Sequence, residues 1–484
     1  MRPPPNKFEG ATLVSFNNAK NNESKEDGIL AFERSYLTAV AITLVAAMTC
    51  TADFQANTHT SNKQENPAIA MDAEGNFVIV WNSYLQDGSS NGIFGRRFDP
   101  NCKPLSDEFR INTTTSGNQR EPSVAMNADG NFVVAWYGPG EDKEDIFARR
   151  FSANGQPIGS EFRVNTYTND KQLYPSAAMS NDGGFVIVWE SMNVPEQGKK
   201  GICGQLYDST GSSIGPEFVI NEEASDSRYP DAAMDADGNF AVVWLLDKSS
   251  NSIIARLYNA EGTAKTEPFE LSTIRFSSIT EPSIAMDKAG NFVVAWDGDP
   301  KLAGQDDIHV RCYNPEGTAV SGQFIVNTTI EGPQQNPQAA MDELGRFIIV
   351  WDSKIDPDIN ERDIFAQRYD SAGGPLGNEF QVNTYMTDDQ KRPAAAITEN
   401  GKFVIAWQSY GQDGSDYGIF VQPGQMVGSA DFNGDGFVNF YDYCILAEEW
   451  LKSGGLLKAD LIDDNKVDGQ DLAEFRYQWL TLQE

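Results

Sequence analysis

The chain has 484 residues, 40% of them hydrophobic, with 37 Lys+Arg against 70 Asp+Glu for a formal net charge of −33. That acidity repels phosphate backbones and anionic headgroups, so it argues against nucleic acid or acidic lipid as a partner while suiting solubility and cation binding. The five cysteines, Cys50, Cys102, Cys203, Cys312 and Cys444, form no CxxC-type cluster, which indicates neither a zinc site nor a disulfide framework.

Residues 1–35 are polar, Asn/Lys/Glu-rich and unlike anything that follows; they read as disordered or as a start codon assigned too early. Within residues 36–52 the apolar run YLTAVAITLVAAM (36–48) follows Arg34 and precedes the small residues TCTA, the pattern of a secretory signal. The run is too short to span a bilayer comfortably, so no transmembrane span is expected in the mature chain. A buried helix or strand is the alternative reading, and Ala47, Met48 and Thr49 do not spell a lipobox before Cys50.

Residues 53–422 are repetitive. NPAIAMDAEGNFVIVW (66–81) returns six more times, ending on Trp136, Trp189, Trp244, Trp296, Trp351 and Trp407, which stand 52 to 56 residues apart. Such a period means a propeller or a solenoid. Each copy reads as a hairpin: an alternating first run around an alanine such as Ala70, an Asp/Asn-rich turn, then a β-rich run ending in the tryptophan. The turn glycine (Gly75, Gly130, Gly183, Gly238, Gly290, Gly345, Gly401) is expected where the backbone needs a positive φ. The proline opening each copy, Pro67 for instance, is expected at a strand start, where its missing N–H breaks no ladder.

A second pair of runs follows each hairpin, as in GIFGRRFD and DEFRINT (92–113), so each repeat holds four strands. The third strand carries Arg or Gln at one column: Arg96, Arg149, Gln205, Arg256, Arg311, Gln367 and Gln422. A residue repeated seven times is expected to make a structural hydrogen bond, between blades or to a turn carboxylate, rather than to catalyse. His59 lies in a connecting loop, and His309 takes a column that Phe94, Phe147 and Phe365 fill in other repeats, which makes it a packing residue. The seventh repeat stops after its third strand, and its missing fourth matches residues 53–67 near the N-terminus. That split unit closes a ring, so the expected fold is an all-β seven-bladed β-propeller whose N-terminal strand completes the last blade. A solenoid would instead want distinct capping repeats.

The wording P-x-x-A-M-D-x-x-G-N-F-V-V-x-W followed by D-I-F-A-x-R-Y-D-x-x-G resembles the NHL-type propeller repeats of extracellular and bacterial surface proteins, with tryptophan in place of the usual terminal Asp and a longer repeat. The resemblance implies fold rather than activity.

After a linker (423–428), residues 429–484 carry DFNGDGFVNFYD (431–442). Asp431, Asn433, Asp435, Asn439 and Asp442 occupy positions 1, 3, 5, 9 and 12 of an EF-hand-type loop, with Gly436 at position 6 and the Phe437 carbonyl at 7. Hard oxygen ligands at that spacing mean Ca²⁺. A second loop, DLIDDNKVDGQD (460–471), offers Asp460, Asp464, Lys466, Asp468 and Asp471, the lysine through its carbonyl; Ile462 and Asn465 stand where a ligand and a glycine belong. Each loop precedes an apolar helical pattern, YCILAEEWL and LAEFRYQWL. The duplicated half-EF-hand with Asp at position 12 resembles a dockerin domain, a small α-helical calcium-binding module. The resemblance implies docking to a cohesin-like or other docking protein. Phe440, Tyr441, Gly469 and Gln470 replace the Ser/Thr-type pairs through which clostridial dockerins contact cohesin, so the partner's identity does not carry over.

The leading functional expectation is a secreted or cell-surface, non-catalytic protein whose propeller binds a polysaccharide or protein while the tail docks it to a complex. The rival is a dockerin-tethered enzyme acting on the O-glycosyl bonds of a polysaccharide, because dockerins tether such enzymes and some propellers are glycosidases or lyases. A purely architectural surface protein is the third class. No carboxylate pair or activated nucleophile visibly breaks the repeat, so no catalytic residue is assigned. Connections after the second and fourth strands vary in length and content, and function concentrates in variable loops on a rigid scaffold. Tyr84 and Tyr410, in NSYLQDGSSN (82–91) and QSYGQDGSDY (408–417), are the ligand-face candidates.

Overall fold

The computed structural model describes residues 53–426, apart from the segments 195–198, 222–225, 248–250, 274–280, 300–305, 330–331 and 355–360, together with residue 445. The expectations for the signal-like segment and for the calcium-binding, dockerin-like tail lie outside the described residues.

The described residues form seven four-stranded antiparallel sheets, six of them with their strands in chain order. Blade 1 comprises Gln64–Met71, Phe77–Tyr84, Asn91–Phe98 and Phe109–Arg110. Blade 7 comprises Gln390–Ile397, Lys402–Tyr410, Tyr417–Gln425 and, from the start of the repeat region, Phe54–Gln55. Phe54 pairs with Val421 and Gln55 with Phe420, so the N-terminal strand closes the ring as the repeat phase requires. First strands of all seven blades line the central cavities, which makes them the innermost strands.

The second strand explains the FVIVW pattern. Its alternate residues face opposite neighbours: Phe77, Ile79 and Trp81 pack on Ala406, Ile419 and Val421 of blade 7, whereas Val78 and Val80 pack on Phe132, Val134 and Trp136 of blade 2. Both faces of every blade are covered, so the run is continuously apolar instead of alternating. All seven repeat tryptophans are at most 2% exposed. The seven turn glycines adopt φ between 79 and 90°, the left-handed region the sequence pattern requires.

The Arg/Gln column splits by residue type. Arg96, Arg149, Arg256 and Arg311 each donate across to the preceding blade, to the carbonyls of Ala56, Ile111, Ile220 and Leu271 at 2.9–3.0 Å. Gln205 and Gln367, with shorter side chains, bond carbonyls of their own blade instead. His309 is buried and stacks on Trp296 at 6.1 Å. Cys102, Cys203 and Cys312 are buried and not disulfide-bonded.

In six of the seven blades the repeat proline is not at the strand start; in the fifth, Pro282 immediately precedes Ser283–Met286. Pro67 lies inside Gln64–Met71, where the pairing register shifts between Glu65 and Ala68, and five other blades show the same bulge. The missing N–H is tolerated because a bulge interrupts the ladder there and the innermost strand has a free edge toward the axis.

Candidate functional site

The bulge positions the site. The residue before the repeat proline has positive φ in six blades: Asn66 (56°), Glu121 (49°), Tyr174 (51°), Tyr229 (50°), Asn336 (54°) and Arg392 (50°). For residues with a Cβ this conformation costs roughly 1–2 kcal/mol each, and strain of this kind gathers at functional sites. A bulge re-aims a side chain. Here these residues, with Glu281 of blade 5, line one cavity of about 310 Å³ on the axis, at the end of the ring where the second strands finish.

Most columns of the repeat are chemically uniform; this one reads Asn, Glu, Tyr, Tyr, Glu, Asn, Arg around the ring. It is the constellation the sequence analysis lacks. The signal was present as the variable residue before an invariant proline, but it is legible only once the bulge is known to turn that residue toward the axis. Glu121 and Glu281, in blades 2 and 5 of seven, both line the mouth, three blades apart, the widest separation around the ring that seven-fold geometry permits.

Hydrogen bonds hold the ring in place. Asn66 Nδ2 donates to Glu121 Oε1 at 3.0 Å and to Asn82 Oδ1 at 3.1 Å, and Asn336 Nδ2 donates to Asp352 Oδ2 at 2.7 Å. Asp352, fully buried, also accepts from Arg362 Nη1 at 2.5 Å. Tyr174 and Tyr229 meet edge to face with centroids 4.9 Å apart. Two residues after Tyr229, Asp231 also lines the cavity, accepting from Ser176 Oγ at 2.7 Å, from the Ala232 N–H at 3.0 Å and from the Ile284 N–H in the next blade at 2.9 Å.

These surroundings shift the ionisable groups. Burial pushes the Glu121 carboxyl above its ordinary range, opposed by Arg392 and reinforced by Glu281. Burial pulls the Arg392 guanidinium down, but Glu121, Glu281 and Asp352 outweigh it and hold the group above its usual value. Burial raises Asp231 to about 6 despite four hydrogen bonds, from Ile284, Ser176, Ala232 and Ser283, that favour its charged form. Burial likewise raises both Tyr174 and Tyr229, so their phenols stay protonated. The mouth therefore offers hydrogen-bond donors and acceptors, two aromatic faces, one fixed cation, and acids that hold a proton above the normal carboxyl range.

Tyr84 and Tyr410 lie at the mouth end of the ring and are 39% and 42% exposed. They are outside the cavity lining. Tyr410 meets Tyr417 edge-on at 5.2 Å, and Lys63 sits over the Tyr417 ring. On the opposite face a cavity of about 200 Å³ is lined by Met71, Met126, Met179, Met234, Met286 and Met341, with Ile397 in the seventh blade. Among the described residues no helix is long and apolar enough to cross a membrane, and no group of three or more His, Cys, Asp or Glu is arranged to hold a metal ion.

No protein-family model matches the chain, and no curated protein sequence matches it. Solved structures do, in fold. A protein of unknown function from Dyadobacter fermentans shares 11% identity at a TM-score of 0.49, covering 77% of this chain and 98% of that one. An ulvan lyase described as a new polysaccharide lyase family gives 11% and 0.49, covering 82% and 98%. An α-L-arabinanase from Penicillium chrysogenum, complexed with arabinobiose, gives 12% and 0.44, covering 63% and 92%. The all-β seven-bladed architecture of this chain rests on its own seven sheets.

Proposed function

We propose that the chain is a carbohydrate-active propeller that takes a sugar unit of a polysaccharide into the channel mouth and hydrolyses a glycosidic bond there. The observation that carries this reading is the non-uniform ring, Asn66, Glu121, Tyr174, Tyr229, Glu281, Asn336 and Arg392, converging on one cavity. A concave site with a few convergent polar groups and perturbed acids is where binding and chemistry concentrate. Tyr174 and Tyr229 supply faces for a sugar ring, and the amides and Arg392 bond its hydroxyls. Glu121, holding its proton above the ordinary carboxyl range, donates it to the leaving glycosidic oxygen as the C–O bond breaks. Glu281, three blades away on the same mouth, takes a proton from the water that adds to the anomeric carbon. In this reading the residues of the mouth move the enzyme ahead of the binding-only protein.

The tail belongs to the same proposal. Asp431, Asn433, Asp435, Phe437, Asn439 and Asp442, with the second loop at Asp460 to Asp471, would bind Ca²⁺ and dock the secreted propeller to a cohesin-like partner near its substrate.

The test is incubation of the full chain with a polysaccharide panel, reading reducing ends and binding separately. Wild type should release reducing ends from at least one polymer, and Glu121→Gln and Glu281→Gln should each lower release by 10²-fold or more, while binding survives. Binding without release in the wild type would leave a lectin-like propeller, and absence of both would sink the carbohydrate reading.

A further inference from the structure

A second cavity, of about 420 Å³, opens beside the mouth between blades 2 and 3 and is lined in part by Arg120, Tyr137, Pro139, Lys143, Glu144 and Lys171. The two cavities are joined by aromatic rings. Tyr229 and Tyr174 line the axial cavity, and Tyr137 lines the lateral one. Tyr174 meets Tyr229 at 4.9 Å and Tyr137 at 6.3 Å, both edge to face, so three rings run without a break from blade 4 through blade 3 to blade 2.

Tyr137 owes its place to a break in another repeat column. The residue after the repeat tryptophan is Asn82, Glu190, Asp297, Asp352 and Gln408 in five blades, all buried and polar. In blade 2 it is Tyr137, half-buried and paired in register with Arg120. The lateral cavity also differs from its surroundings in charge. Arg120, Lys143 and Lys171 balance Glu141, Asp142 and Glu144 in a chain whose net charge is −33. Lys171 pairs with Glu144 at 3.2 Å. The result is a neutral, donor- and acceptor-rich pocket with one aromatic wall, which fits a hydroxylated ring better than an anion or an apolar side chain.

Resting on the reading of the mouth as a sugar site, we infer that the ligand is an oligosaccharide chain of at least three units. It leaves the mouth over Tyr174 and Tyr137 and seats a further unit in the lateral cavity between blades 2 and 3. The centroid spacings of 4.9 and 6.3 Å are each on the order of one sugar ring, so the path has about one tyrosine per sugar unit. A site of this form cuts or grips within a polymer and discriminates by chain length, because each added unit up to the lateral pocket gains contacts and units beyond it gain none.

The experiment measures affinity of the full chain, as Glu121→Gln to prevent turnover, for ladders of cello-, xylo-, manno- and arabino-oligosaccharides of one to six units. Affinity for the recognised ladder should rise by at least 10-fold between two and four units and then level off. Tyr137→Ala and, independently, Arg120→Gln should remove most of that rise while leaving disaccharide affinity within twofold; Tyr137→Phe should keep it. Should Tyr137→Ala fail to fold, the Arg120→Gln result stands alone. Affinity independent of length, or an equal loss at every length in the variants, would overturn the extended path while the sugar reading of the mouth survives. No binding to any ladder or to the parent polymers would overturn both.

Discussion

Asp53 Oδ2 accepts two hydrogen bonds from Thr384, from its N–H and from its Oγ1, both at 2.8 Å, across 331 residues of chain. The same clasp joins other neighbouring blades: Glu108 takes both donors of Thr58 at 2.7 and 2.9 Å, and Glu217 both donors of Thr166 at 2.7 and 2.6 Å. Asp53 therefore stands where other blade junctions place Glu108, Glu161, Glu217 or Glu379 and, at Thr273, the amide oxygen of Gln323. Residues 53–58 are a working part of blade 7, not a tether.

Removal of residues 53–58 should open the ring. The deletion takes away the clasp, the pairing of Phe54 and Gln55 with Val421 and Phe420, and Ala56, which is fully buried in the core between blades 7 and 1. An exposed third strand in blade 7 would then be free to pair with another molecule. Thermal melting should fall well below wild type and light scattering should show association. Asp53→Ala alone removes only partly exposed hydrogen bonds and should cost about 1 kcal/mol. Unchanged melting and a monomeric deletion variant would show that closure lies elsewhere.

The ring was legible in the sequence because every feature that builds it occurs seven times. Trp81 and its six counterparts fix the period, the turn glycines fix the hairpins, and the match of residues 53–67 to later fourth strands fixes the closure. His309 was legible as packing because its column is otherwise apolar, with phenylalanine in four blades and Cys203 and Ile254 in the other two. The site was not, since repetition hides it: Glu121 and Glu281 are two acids among many, and nothing in a linear pattern shows that the residue before each proline turns inward. The placement of Pro67 carried the missing clue. A strand that begins at the proline leaves residue 66 in a loop, whereas a strand running through a bulge aims it at the axis.

The calcium expectation predicts linked folding. Asp431, Asp435 and Asp442 in one loop repel one another without a cation, so a metal that binds only the folded form stabilises it. The full chain should show a transition for residues 429–484 that moves up by several degrees in millimolar Ca²⁺ relative to EDTA, with the propeller transition unmoved. Asp431→Ala should remove most of that gain. No difference between calcium and EDTA would count against the loop assignment.

Tyr84 and Tyr410 are exposed near the mouth but do not line it, so they can help only a ligand that extends beyond the cavity. Loss of one stacking face is worth about 0.5–1.5 kcal/mol. Tyr84→Ala and Tyr410→Ala should therefore weaken polymer binding by a few-fold at most and leave short sugars unaffected, whereas Tyr174→Ala should weaken both. Asn131→Ala, on the opposite face, should change neither. Equal losses from both faces would argue that the mouth is not the binding end.

Asp231 makes the stability of the inner ring depend on pH, with a definite sign. An unfolded aspartate titrates near about 3.9, and burial raises Asp231 to about 6 in the fold. Between those values the folded chain binds more protons than the unfolded one, so stability falls as pH rises through the window. The contribution is fully present below about pH 4 and lost above about pH 6, with a magnitude on the order of 2–3 kcal/mol. Asp231→Asn cannot titrate, and its single oxygen cannot accept from Ser176 and Ala232 on one side and from Ile284 on the other. The variant should therefore be less stable than wild type at pH 4, by about 1–3 kcal/mol for the donor left unpaired. The gap should narrow or close by pH 7 as the wild type alone loses its proton. Denaturant unfolding of both proteins across that range measures the difference directly, and a gap that stays constant from pH 4 to 7 would show that Asp231 does not titrate there.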